Sequence, residues 1–86
     1  MQNFNKKHKF SEKAKQLAQE LHEEVRLNDR NWHALKTKPD CRAAELLAVA
    51  LLNLLQEGKY KDVEELSYQG IRWLKGELKD PGCPNH

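Results

Sequence analysis

Between Pro39 and Gly58 this chain carries an apolar pattern too broad for one side of an ordinary surface helix. At ~100° per residue, the alanines and leucines from Ala43 to Leu55 spread over an arc of about 240°. Arg42, Glu45, Asn53 and Gln56 line what is left, with Val49 among them. Thr37 is placed to cap this segment, Pro39 to sit in its first turn, and Asp40 to meet the helix dipole. Gly58 is placed to end it. The spacing predicts a helix over 40–57. Two neighbouring helices of a three-helix bundle would cover less than its apolar arc. Such a helix is either wrapped on three sides or left with an apolar patch that seeks a partner.

The flanking segments supply ordinary neighbours. Ser11 is a good N-cap, and from Ala14 through Ala18, Leu21, Val25, Asn28, Trp32 and Leu35 the spacing alternates fours and threes, as in a coiled-coil seam. Its apolar stripe is only about 100° wide, the width that fits one groove. The unbroken heptad spacing predicts a first helix over 11–36, with Asn28 as a polar seam residue; a break at Asn28–Asn31 would make two helices of it. Asp62 can cap a third long helix over 62–78, with Val63, Leu66, Gly70, Ile71, Trp73 and Leu74 on one face. Gly70 sits near the centre of that face, where a missing side chain lets another helix approach. Asp80-Pro81-Gly82 is expected to stop the chain's last helix. The second and third helices have similar lengths and a short joint, so they should run antiparallel. The expected fold is all-α. It is a three-helix bundle, or four with the break, over 11–79, between a basic arm (1–10) and a non-helical tail (80–86).

Composition narrows function mainly by exclusion. A chain of 86 residues has room for one domain and buries only ~60–65% of its unfolded surface, so association with something is a natural way to add burial. Fifteen basic and thirteen acidic residues leave a net charge of +2, too weak a field to make nucleic acid the expected partner. The Lys6–Lys9 arm is the one basic run, and it lacks an aromatic platform for stacking a base. Weak nucleic-acid binding through it stands as an alternative function. The most apolar stretch is too short to span a bilayer, no secretory signal is apparent, and the cytoplasm is the expected compartment. Phosphate loops, nucleophile elbows and His-Glu-x-x-His are absent, and His22-Glu23-Glu24 lacks the Glu-x-x-His spacing of a di-iron site. No enzyme activity and no cofactor are expected.

One polar constellation follows from topology. An antiparallel hairpin returns the tail to the pole where the second helix begins. His33 and Cys41 belong to that pole, and Cys83-Pro84-Asn85-His86 would come back to it. Two thiols and two imidazoles are a zinc-ligand set, or the two thiols a redox pair, though structural zinc sites usually gather ligands in tight pairs. The more ordinary expectation is no metal, with Cys41 a small buried residue and His33 on the surface. A helix N-terminus and the neighbouring Arg42 would lower the Cys41 pKa, and apolar burial would raise it.

The joint "EGKYKDVEEL", with its flanks from Leu54 to Leu74, resembles the helix–turn–helix of a tetratricopeptide repeat over about a quarter of the chain, without a second copy. That likeness implies a helical hairpin. "CRAAELLAVALLNLL" and the ending "WLKGELKDPGCPNH" resemble a family of small uncharacterised all-helical proteins of cyanobacteria. It implies an intracellular setting and carries no activity. The expected function is therefore a non-enzymatic protein–protein interaction module, self-associating or binding a partner helix, with Leu47, Leu51, Leu52 and Leu55 as contact residues and Trp32 as anchor. The alternative is a thiol- or zinc-dependent regulator.

Overall fold

The structure is a computed structural model; it describes residues 9–28, 30–35 and 37–78. It is all-helical, with α1 (Glu12–Val25), α2 (Trp32–Leu35), α3 (Pro39–Leu55) and α4 (Tyr60–Leu74), and there is no strand among the described residues. α1 begins where Ser11 caps it, the hydroxyl accepting from the Ala14 amide at 3.0 Å. It does not run on to Lys36. Arg26 turns extended, with ψ 150°, and the chain then folds around two asparagines. The Asn28 carboxamide oxygen accepts from the Arg30 and Asn31 amides at 2.9 and 3.0 Å, and Asn31 Oδ1 accepts from the Asn28 amide at 2.8 Å. Short polar side chains that capture backbone amides outcompete the helix ladder, whatever the heptad spacing says.

α3 starts with Pro39 in its first turn and Lys38, not Thr37, at the N-cap; no side chain caps it. It ends one residue earlier than a glycine terminator implies. Glu57 takes the left-handed conformation, with φ 62°, and the Gly58 amide donates to the Asn53 carbonyl at 2.8 Å. α4 starts at Tyr60, with Asp62 in the first turn rather than at the cap. It stops at Leu74, before the expected 78, because Gly76, with φ 79°, provides the left-handed turn that lets the Glu77 amide reach the Arg72 carbonyl at 2.9 Å. Asp80, Pro81 and Gly82 lie outside the described residues.

α3 and α4 pack closely, as do α1 and α3, whereas α1 and α4 have no comparable contact. The pairs run antiparallel. Gly70, late in α4, lies against Leu47 and Ala43, early in α3, so that a Cβ on Gly70 would stand 3.1 Å from Leu47 Cγ. Leu27, just past α1, donates its amide to Glu45 Oε2 at 3.0 Å, while Phe10, just before α1, shares a cleft with Leu54, Gly58 and Tyr60. The three long helices thus form a layer with α3 in the middle, rather than closing around a common axis. Its buried side chains are small. Among the described residues they are Ala18, Ala43, Ala48 and Ala50, with Trp73 the one large exception.

Candidate functional site

Ala43 and Ala50 mark the flank of α3 toward α4, and Ala48 marks the flank toward α1, about 150° apart at ~100° per residue. Ala44, Leu47, Leu51 and Leu54 fall in the arc between those flanks, spaced by three, four and three. The three leucines are 38–43% exposed. On the opposite arc stand Arg42, Glu45, Val49 and Asn53, all half-buried. Two contacts explain that asymmetry. Residues 26–28 and 30–35 cross the second side, tied down by the Leu27–Glu45 hydrogen bond and by Trp32 on Arg42. On the first, Lys9 and Phe10 meet Leu54 in a cleft at one end, while Leu47 and Leu51 stay exposed.

The neighbouring helices extend the uncovered side. Viewed down α3, successive residues turn one way on α3 and the opposite way on its two antiparallel neighbours. With Ala18 turned to α3, Leu17 and Leu21 project to the side that carries Leu47 and Leu51. With Gly70 turned to α3, Ile71 and Leu74 project to that same side, and Trp73 projects to the other. The contact of Trp73 with Arg42, which belongs to the covered arc, agrees with this placement. All seven of these exposed aliphatic side chains, 38–59% accessible, therefore belong to one face. Together they leave on the order of 600 Å² in water, the upper end for the largest apolar patch of a typical monomer. The cleft lined by Phe10, Leu54, Glu57 and Tyr60 lies at one end of it.

The five residues read from the sequence as contacts divide. Leu47 and Leu51 are on the open face. Leu52 and Leu55 are half-buried on the α1 flank of α3. Trp32 lies on the covered side, its ring centroid 5.4 Å from Arg42 Cζ. Leu54, Leu17, Leu21, Ile71 and Leu74 were not singled out by sequence reasoning. Leu17 beside the α1 stripe, and Leu54 within the wide arc of α3, were the available signals.

At the polar pole, His33 is exposed on α2 and Cys41 is half-buried in the first turn of α3. Cys83 and His86 lie outside the described residues, as do Lys6, Lys7 and His8 of the basic arm. Among the described residues no three of His, Cys, Asp and Glu converge as metal ligands. The Cys41 pKa is raised, not lowered: partial desolvation comes first, then the charge of Asp40 and a hydrogen bond to it, with Lys38 opposing. Arg42 does not activate the thiol, because its guanidinium is engaged with Glu45 Oε1, at 3.3 Å, and with the rings of Trp32 and Trp73.

The described residues form an all-helical layer with an open apolar face, which defines the class as a small helical protein. Among the described residues no helix is long and apolar enough to cross a membrane. The chain belongs to the family of unknown function DUF6439, which matches residues 1–86. Neither a curated protein nor a solved structure matches it.

Proposed function

We propose that this protein is a non-catalytic, protein-binding module whose working surface is the open face of the α1–α3–α4 layer. One observation carries the reading: among the described residues no aliphatic side chain larger than alanine is buried, while seven larger ones lie exposed on a single side. At ~25 cal/mol per Å², covering that face recovers stabilisation that one layer lacks. Leu47 and Leu51 are its centre. Leu52 and Leu55 support them from the α1 flank, and Trp32 acts with Arg42 to close the other side rather than as an anchor. The module acts in the cytoplasm, in line with the cyanobacterial family its sequence resembles. Gel filtration of a lysate of the native host, with detection of this chain, tests the reading. Migration above the 10.1 kDa of one chain, abolished by Leu51→Glu with helicity intact, is expected. Migration as a single chain in wild type and variant alike would overturn it.

A further inference from the structure

Resting on that reading, we infer that the occupant of the open face is a second copy of this chain, docked face to face about a two-fold axis lying in the interface. Two observations select it. The first is area. The aliphatic side chains and the adjoining Tyr60 and Tyr68 present roughly the 800 Å² per partner that a standard interface buries. Stacking two layers through their Leu47–Leu51 stripes closes a core that neither layer has alone, and an isologous contact needs only one such patch.

The second is charge, which is arranged for self-complementarity. On the outer edge of α1, Lys13 lies four residues before Leu17 and Glu24 seven after it; on that of α4, Glu64 lies seven residues before Ile71 and Lys75 four after it. These spacings keep each pair on the stripe of its leucine or isoleucine. Both helices run opposite to α3. Lys13 and Glu64 are therefore at the end where α3 finishes, Glu24 and Lys75 at the end where it starts. The corners of the face alternate in sign. Either in-plane two-fold then sets unlike charges opposite each other: Lys13 meets Glu64 of the copy when the axis runs along α3, and Glu24 of the copy when it runs across. All four residues are exposed. Lys13, Glu24 and Glu64 have no ion pair within the chain among the described residues, and Lys75 only a long one to Glu77, at 3.9 Å. An unrelated partner helix would not demand this alternation.

Sedimentation of the purified full chain over a wide concentration range tests the inference. The expected mass is twice 10.1 kDa at high micromolar concentration, returning to one chain for Leu51→Glu. Lys13→Glu, at an exposed position that leaves folding intact, is expected to weaken the dimer about tenfold, since the two-fold repeats each lost pair. A compensating reversal should restore it: Glu64→Lys if α1 lies against the partner's α4, Glu24→Lys if it lies against the partner's α1. Restoration by neither would overturn the charge argument and with it the face-to-face copy. A purified wild-type chain that stays single, while lysate still yields a larger complex sensitive to Leu51→Glu, would overturn the second copy and spare the binding module. A single chain in both settings would remove both.

Discussion

Arg42 Cζ lies 5.3 Å from the ring centroid of Trp73, so a cation in the first turns of α3 rests on the one large buried side chain among the described residues. Trp32 approaches the same guanidinium to 5.4 Å from α2. Glu45, one turn along α3, holds Nη1 at 3.3 Å and also accepts the Leu27 amide. One residue thus joins three helices on the side opposite the open face.

Replacing Arg42 with Ala removes both cation–π contacts and leaves Glu45 without its cation. The expected loss of stability is about 1–3 kcal/mol, with a shift in tryptophan emission as both rings gain water. Arg42→Lys should recover only part of it, because a compact ammonium lacks the planar surface that stacks on indole. Thermal unfolding followed by fluorescence checks this, and an unchanged melting curve for Arg42→Ala would refute the joint.

Gly70 tests how closely α3 and α4 approach. A Cβ there would sit 3.1 Å from Leu47 Cγ and 3.3 Å from Leu47 Cδ2, with the Ala43 carbonyl at 3.6 Å. Leu47 is 40% exposed and free to yield on its solvent side. Gly70→Ala also gains ~1 kcal/mol of helix propensity, so its net effect should stay within about 1 kcal/mol of zero. Gly70→Val has no such escape and should cost about 1–3 kcal/mol by forcing the helices apart. Denaturant titration of both variants, with and without Leu47→Ala, checks the assignment. The cost of valine should shrink when Leu47 is truncated.

Glu57 occupies the left-handed region with φ 62°, at the turn where glycine would be unstrained. Glu57→Gly is expected to raise stability by up to ~1 kcal/mol, and Glu57→Asn by less. A lower melting temperature for the glycine variant would show that Glu57 contributes more through its side chain than its backbone loses.

Cys41 binds its proton more tightly than an ordinary thiol, through partial desolvation and the neighbouring Asp40. A pKa raised by folding gives a stabilising contribution that is complete below the unfolded thiol's pKa. That contribution is lost as pH rises through the folded one, on the alkaline side. Alkylation of Cys41 in a Cys83→Ser background should therefore rise at higher pH than for a free thiol. Asp40→Asn should move that rise toward neutral pH. Fast alkylation of the Cys83→Ser protein near neutrality would contradict this and revive a reactive-thiol role.

The α3–α4 hairpin was legible from Pro39, Gly58 and the periodicity of each segment, because those signals are local and act through backbone geometry. So was the surplus of apolar surface on α3. The break in the first helix was legible only as an alternative, at Asn28–Asn31: heptad spacing and a local asparagine turn compete for the same amides, and only the folded chain shows which wins. Leu52 and Leu55 could not be told from Leu54 on a wheel whose neighbours had no fixed direction. Sequence by itself determined that α3 carries more apolar surface than one chain comfortably covers. Tertiary structure decided where the remainder goes. Antiparallel neighbours reverse the sense of the helical wheel, so side chains that look scattered along α1, α3 and α4 emerge on one side of a single layer. Leu27, Trp32 and Arg42 close the other.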